Sequence, residues 1–399
     1  MKVGLSYWSF LSDIEPDTPS GSNFHVPDLV IEMNRRGWDV VALQENRDKI
    51  LADKLKVKIP FGENFIPLKR KKCYDSLFKI EEHPGLAIKS NKYYKDYYKD
   101  ACSSNPHGLP IVDLLIVEWR WPIPGRNTFE DTNSPGFTPD LARQNLLLDY
   151  YHNYTDTTIV ILDLDHKMTE DDEKKYNKAH IFEMSVSPKS VLTQRVRAFL
   201  PFDIDEVYKH KVYLKDPANK VTYIGNHYER DWAIDTFIKP LSEILPENSI
   251  RFVGNWEKYP DVFKEVKARW PRLSYEPRVV KEDFLFKYSP ALTCPLLGKE
   301  SYYESGFMSP RLVESLMYGC LPVGFKIHKG IEYFLPSELI VEDHREYKHL
   351  LERLEKMSIN EYNSLLYKVY PFLDLYSPKD YVNKLDDCIG ELPKKVKCY

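Results

Sequence analysis

The sequence predicts an α/β protein made of two parallel-sheet domains that face one another across a cleft. Three observations predict it. The chain has 399 residues, more than one hydrophobic core ordinarily supports. Its opening runs strand, loop, helix, strand up to Leu43, the βαβ order that builds a parallel sheet. A fresh α/β series begins at Val221. Sheets of this kind bind ligands beyond the carboxyl ends of their strands, which places a site between the two domains.

Each element has a local reason. Residues 3–8 form a short apolar run, and the loop that follows, up to Phe24, is rich in Gly, Ser and Pro. Pro27 suits a first helical turn, Val26, Val30 and Met33 share one face, and Gly37 stops the helix. Trp38-Asp39-Val40-Val41-Ala42-Leu43 reads as the second strand. Residues 50–110 show no clear period; they hold the basic run Lys69-Arg70-Lys71-Lys72 and a tyrosine-lysine stretch over 92–99. Order returns with a buried-type strand over 112–117 that ends at Glu118. The loop Trp119-Arg120-Trp121-Pro122-Ile123-Pro124-Gly125-Arg126-Asn127 follows, and Thr138-Pro139 opens a helix as a cap and a first residue. A strand over 158–162 runs into Asp163-Leu164-Asp165-His166.

In the second series a strand over 221–224 meets Gly225-Asn226, and a helix is expected over about 231–244. A strand over 250–253 meets Gly254-Asn255, with another helix behind it. Residues 290–295 contain a short buried strand, a helix from Pro310 ends at Gly319, and Leu321-Pro322-Val323-Gly324 carries a strand onward. The division falls near 200–220, giving domains over 1–210 and 211–370.

Composition narrows the function classes. With 43% hydrophobic and 29% charged residues the chain is globular rather than disordered. Its 28 tyrosines and 19 phenylalanines suit a binder of sugars or bases. A formal charge of −4 argues against a nucleic-acid protein overall, though a local basic face can act inside such a total. Six cysteines, Cys73, Cys102, Cys294, Cys320, Cys388 and Cys398, form no C-x-x-C pair, and no signal peptide opens the sequence. The expectation is a reduced, cytoplasmic protein without a cysteine-built metal site. No apolar run approaches about 18 residues, which argues against a membrane span.

The strongest chemical signal is Arg311-Leu312-Val313-Glu314 before Gly319-Cys320-Leu321-Pro322-Val323-Gly324. Three residues apart on a helix, Arg311 and Glu314 share a face. A planar guanidinium there can clamp diphosphate oxygens, and a carboxylate one turn on can accept from ribose hydroxyls. Read alone, the pair is more often a solvent-facing salt bridge than a ligand site; the turn into a strand behind it favours a ligand.

With these residues in view, the chain resembles nucleotide-sugar glycosyltransferases of the twin-Rossmann (GT-B) class. Closer still, it resembles the phage enzymes that glucosylate hydroxymethylcytosine in DNA. The resemblance rests on the order of Tyr223-Ile224-Gly225-Asn226, Phe252-Val253-Gly254-Asn255, Gly298-Lys299-Glu300-Ser301-Tyr302, and Arg311 with Glu314. It spans roughly 221–356, with a weaker match over the first strand, helix and strand. It implies that the domains are Rossmann-like, that Arg311 meets the diphosphate and Glu314 the ribose of a UDP-sugar, and that Arg278-Val279 lies beside the base. It also implies that 371–399 forms a kinked helix crossing back to the first domain. The arginines that such enzymes carry just after the glycine turn are not matched in position; Arg230 is expected to supply that charge beside His227, Tyr228 and Trp232, helped by the amides of the Gly225 turn. Tyr302 belongs to the same donor group.

The second signal is Asp163-Leu164-Asp165-His166. A sugar transfer needs a base for the acceptor hydroxyl, and a carboxylate at a strand end facing the cleft suits the task. By resemblance Asp165 fills it, and Asp163 caps a turn or orients its neighbour. The same segment, with Thr169, resembles the nucleophile motif of haloacid-dehalogenase-type phosphohydrolases and the D-x-D metal motif of single-domain glycosyltransferases. Both would hold a divalent cation. The first normally opens its domain, and the second fits poorly with a donor-like second domain. A nicotinamide enzyme is disfavoured because no G-x-G-x-x-G follows a strand.

Acceptor or sugar contacts are expected from Ser22, Asn23 and His25 in the first loop, and from Glu118 and Arg120 in the tryptophan-rich loop, where Trp119 and Trp121 can stack and Arg126 can hold phosphate. No obligatory metal is expected, magnesium or manganese being optional. The expected acceptor, by resemblance, is a hydroxymethylated pyrimidine in double-stranded DNA, in a phage-infected cell, with the base turned out of the duplex. A polysaccharide or small-molecule acceptor is the alternative.

Overall fold

Two sheets of six strands each, parallel throughout, organise the described residues of the computed structural model. The structure describes residues 1–7, 22–44, 49–59, 109–128, 138, 140–186, 192–204, 219–227, 229–257, 260–279 and 284–395. The first sheet has the order β2-β1-β3-β4-β5-β6, from β1 (Lys2–Ser6), β2 (Asp39–Ala42), β3 (Leu114–Glu118), β4 (Thr158–Leu162), β5 (Ala179–Glu183) and β6 (Val196–Arg197). The second has the order β12-β11-β10-β7-β8-β9, from β7 (Val221–Ile224), β8 (Ile250–Val253), β9 (Ser274–Glu276), β10 (Thr293–Pro295), β11 (Leu321–Phe325) and β12 (Ile340–Val341).

In both sheets the strand order reverses beside the first strand, between β1 and β3 and between β7 and β10. Loops leaving neighbouring strands diverge there, which opens a crevice at the carboxyl edge. The strands are near-continuous apolar runs, Leu-Leu-Ile-Val in β3 and Thr-Ile-Val-Ile-Leu in β4, because a parallel sheet is covered on both faces. Val3, Leu5, Val40, Leu114, Ile116 and Val160 are accordingly sealed from solvent.

Helices lie near where the sequence pattern expects them, with two departures. Pro27, expected in a first turn, lies inside a helix that already begins at Ser22. The helix expected over 231–244 is α-helical over Asp231–Ala233, widens into a π turn over Ile234–Ile238, and resumes over Lys239–Ile244. Pro240 lacks an N–H for the carbonyl one turn back, and its ring crowds that carbonyl; a wide turn just before it relieves both. The helix after Thr138 runs Asp140–Tyr154, with the Thr138 hydroxyl donating to Asp140 Oδ1 at 2.6 Å. The basic run at 69–72 and the tyrosine-lysine stretch over 92–99 lie outside the described residues.

The chain changes lobes twice. Ala198 belongs to the first core and Phe199 to the second; Tyr376 still belongs to the second, and Tyr381, Val382 and Leu385 return to the first. After the break at Ser377-Pro378, the helix Pro378–Asp386 packs on Ser22–Arg35, where Arg36 donates to Asn383 Oδ1 at 2.7 Å and to the Lys379 carbonyl at 3.0 Å. A short antiparallel contact also joins the lobes. Val186 N–H donates to the Gly306 carbonyl at 3.0 Å and Met308 N–H to the Met184 carbonyl at 3.1 Å.

Candidate active site

The turn after β7 is shaped by what presses on it. A methyl group at Gly225 would stand 2.5 Å from Arg311 Nη2 and 2.7 Å from the Tyr223 hydroxyl, and one at Gly254 would collide with the Gly225 carbonyl. Glycine is required at both positions by close approach rather than by a left-handed backbone. Asn226 locks the two turns together, its side-chain oxygen accepting from Asn255 N–H at 3.1 Å.

Arg311 is fixed from below. Its Nε donates to the Ile224 carbonyl at 2.7 Å, and its guanidinium lies 4.9 Å over the Tyr223 ring. Burial penalises its charge, but the contributions of Tyr223 and Glu314 outweigh this and the group stays protonated more firmly than a free arginine. Around this pair Ile224, Gly225, Asn226, Gly254, Arg278, Val279, Pro310, Arg311 and Glu314 line a cavity of about 210 Å³. Six of the expected donor residues thus meet at one cavity: Gly225, Asn226, Arg278, Val279, Arg311 and Glu314.

Arg230 and Tyr302 are not on that wall. Arg230 Nη1 donates to the Asn226 carbonyl at 3.3 Å. Burial first, and the like charge of Arg311 as well, push its pKa down, while Tyr223 and Tyr302 act the other way. Two guanidiniums that repel across a partly dry space favour an anion between them. Tyr302 reaches away from the cavity toward the first lobe, where its hydroxyl donates to Asp165 Oδ1 at 3.0 Å. Burial, and next the Asp165 charge, hold the Tyr302 hydroxyl well above the usual phenol range.

Asp163 and Asp165 have different fates. Asp163 is buried and accepts from the amides of Lys167 (2.8 Å) and Met168 (3.2 Å) and from Arg195 Nη1 (2.7 Å). Arg195 also binds Glu173 at 2.7 Å and Glu183 at 2.9 Å, all three carboxylates being sealed. Asp165 is only partly buried and turns to Tyr302. Both D-x-D metal readings fail here, because the Asp163 oxygens are already committed. The fold also disagrees with the phosphohydrolase reading, for Asp163 follows the fourth strand of its sheet and not the first. Among the described residues no group of three His, Cys, Asp or Glu side chains is placed to hold a metal ion, and no helix is long and apolar enough to cross a membrane.

The expected acceptor contacts divide. Ser22 and Asn23 begin the helix Ser22–Arg35, but their side chains lie outside the described residues, as does the loop over 18–21. His25 is 1% exposed, with its ring edge-on to Tyr7 at 5.7 Å, so it sits inside the core rather than on the cleft. Arg120 is also drawn inward: Nε binds Asp140 at 2.7 Å and Nη1 approaches Glu118 at 3.7 Å. This corrects the expectation of an arginine open to phosphate. Glu118 stands at the end of β3, paired in register with Leu162, one residue before Asp163. Trp119 is buried beside Tyr176, while Trp121 stays partly open with Arg120 and Lys167 against its ring. Sequence reasoning missed Tyr223, whose ring carries Arg311, and Arg195, Glu183 and Ser185, which lie under the Asp165 turn. Their only signal was a polar residue in or near an apolar strand.

No family model matches this chain, and no curated protein matches it in sequence. Solved structures do match. The β-glucosyltransferase of phage T4 superposes with a TM-score of 0.56 at 14% identity, over 98% of this chain and 100% of that one. HepE of Anabaena, solved with UDP and glucose, gives 0.53 at 12% identity over 97% and 98%. Sucrose-phosphate synthase of Thermosynechococcus elongatus gives 0.53 at 10% over 97% of each. Two parallel six-stranded lobes, a crevice at their carboxyl edges and a helix returning from second to first lobe are the twin-Rossmann, GT-B fold of these glycosyltransferases.

Proposed function

We propose that the chain transfers a sugar from a uridine diphosphate donor to a hydroxyl acceptor. In this reading residues 211–370 hold the donor, residues 1–210 present the acceptor, and 371–399 tie the second lobe back to the first. One observation carries it: Arg311, Glu314, the Gly225-Asn226 turn and Arg278-Val279 converge on one cavity at the crevice of the second sheet. Arg311 and Arg230 draw the diphosphate and take up the charge that grows as the sugar leaves. Glu314 accepts from the ribose, and Arg278-Val279 flank the uracil. The T4 enzyme was solved with UDP-glucose and HepE with UDP and glucose, which supports the uridine donor.

Asp165 acts as the general base, taking the acceptor proton as the oxygen attacks the anomeric carbon. Tyr302 holds that carboxylate from the donor side. Arg120, bound to Glu118 and Asp140, stays near Asp165 instead of gripping phosphate. The T4 enzyme has also been solved with UDP and Mn2+; a cation here is optional, and Asp163, committed to Arg195 and two amides, is not its ligand.

For the acceptor we favour a hydroxymethylated pyrimidine in duplex DNA, on the resemblance to the phage enzymes. The test is incubation with UDP-glucose and other UDP-sugars together with hydroxymethylated DNA, unmodified DNA or small hydroxyl acceptors, with products weighed by mass spectrometry. A hexose added only to the hydroxymethylated base supports the reading. Transfer only to small acceptors, or DNA affinity that does not fall as salt rises, removes the DNA acceptor. UDP that fails to bind removes the donor.

A further inference from the structure

The residue after Asp165 has a backbone that L side chains rarely adopt. His166 lies at φ 55, one of four non-glycine residues with positive φ among those described. Histidine enters this region more readily than most side chains, and here its surroundings hold it there. They do so through its ring. Nε2 is 2.7 Å from Ser185 Oγ and 3.1 Å from Glu183 Oε1, both sealed from solvent. A carboxylate only accepts, so Nε2 carries the proton and donates toward this pair. Burial lowers the pKa of the imidazole, against the opposing charge of Glu183.

Beyond Ser185 the contacts reach the other lobe and return. Ser185 pairs with Phe307 in the short antiparallel contact between the lobes. The Phe307 ring meets His166 edge-on at 5.2 Å and stacks on Tyr302 at 4.0 Å. Tyr302 meets His166 at 6.2 Å and donates to Asp165. Asp165, His166, Ser185, Phe307 and Tyr302 therefore form a closed ring of contacts that crosses the cleft twice.

We infer that His166 is a positioning residue: held by Ser185 and Glu183, it fixes the left-handed turn that aims the Asp165 carboxylate at the acceptor and keeps it in register with the donor lobe. This rests on the reading of Asp165 as base. His166 touches no reacting atom in this scheme.

The test compares four variants by the rate of UDP release during transfer, UDP affinity and unfolding temperature. His166→Asn tolerates the left-handed backbone but its amide stops short of Ser185, and Ser185→Ala removes the hydroxyl. Both are expected to lower kcat by about 10²-fold, as a misplaced catalytic group does. The KM for the donor and UDP affinity should stay within about twofold, because the donor contacts on the second lobe are untouched. His166→Gln restores a longer amide donor and should recover kcat to within about tenfold of native. Asp165→Asn is the control. If it is inactive while His166→Asn and Ser185→Ala turn over at the native rate, the inference falls and the base stands. If those two variants lose UDP affinity and unfolding temperature along with kcat, the role is merely structural and the inference falls. Native turnover by Asp165→Asn removes the base itself, and the inference with it.

Discussion

The Tyr302 hydroxyl donates to Asp165 Oδ1 at 3.0 Å, joining a helix of the second lobe to the turn after β4 of the first. Because burial and the nearby carboxylate keep that phenol protonated, it is a permanent donor to Asp165. It leaves the other carboxylate oxygen for an incoming hydroxyl.

Removing the base should therefore separate chemistry from binding. Asp165→Asn is expected to lower kcat by about 10²–10⁴-fold, the usual worth of general-base help. UDP affinity should hardly change. Tyr302→Phe, which keeps the ring and loses one hydrogen bond to a charged group, should cost about tenfold in kcat. Initial rates and calorimetric titration with UDP read both effects.

The cavity predicts the reverse split. Arg311→Ala should weaken UDP binding by about 10–100-fold through lost charge-assisted hydrogen bonds. Arg311→Lys should not restore it, since a lysine cannot keep the Nε bond to the Ile224 carbonyl and also reach the cavity. Glu314→Gln should weaken UDP and uridine alike, whereas loss of Arg311 should spare uridine. Titration with both ligands separates the two roles.

Gly225→Ala tests packing under the site. A methyl 2.5 Å from Arg311 Nη2 and 2.7 Å from the Tyr223 hydroxyl must displace one of them. Overpacking of this kind is expected to destabilise by about 1–3 kcal/mol, read by denaturant unfolding, with UDP affinity falling as Arg311 moves.

Arg195 sits among Asp163, Glu173 and Glu183 with its side chain wholly sealed. Arg195→Met should destabilise by about 3–5 kcal/mol, because it strands buried carboxylates that no water can reach. The unfolding midpoint and the yield of folded protein measure it.

Stability should also follow pH through three histidines. Burial first lowers the pKa of His152, His166 and His328 below the ordinary imidazole value of 6.5. Below that value the unfolded chain takes up protons that the folded chain refuses, so stability falls as pH drops from 6.5 toward the folded values and levels off beneath them. Unfolding temperatures measured between pH 8 and pH 5 should show that fall, and His328→Gln should reduce it.

What the sequence made legible was mostly local. The apolar runs of β3, β4 and β7 announce themselves because both faces of a parallel strand are covered. Gly225 and Gly254 are legible as turns, although the reason they are glycine, pressure from Arg311 and from each other, belongs to tertiary packing. The fate of Asp163 was not readable: its guanidinium partner lies 32 residues on, and nothing in the spacing forecasts it. Arg120 and His25 misled for a related reason. A polar residue in a loop reads as exposed, yet Asp140 captures the first from 20 residues away and Tyr7 covers the second. Pro240 hid a π turn inside what periodicity alone reads as one helix.

The two places where the chain changes lobes also touch. Phe202 N–H donates to the Tyr376 carbonyl at 3.0 Å, and the Phe199 ring lies 5.5 Å from that of Tyr376. Outgoing and returning segments are thus riveted together, in addition to the antiparallel contact at Ser185 and Phe307. Cutting the chain shortly before Tyr376 would remove the returning segment together with the Pro378–Asp386 brace, leaving one covalent link and the Ser185–Phe307 contact to hold the lobes in register.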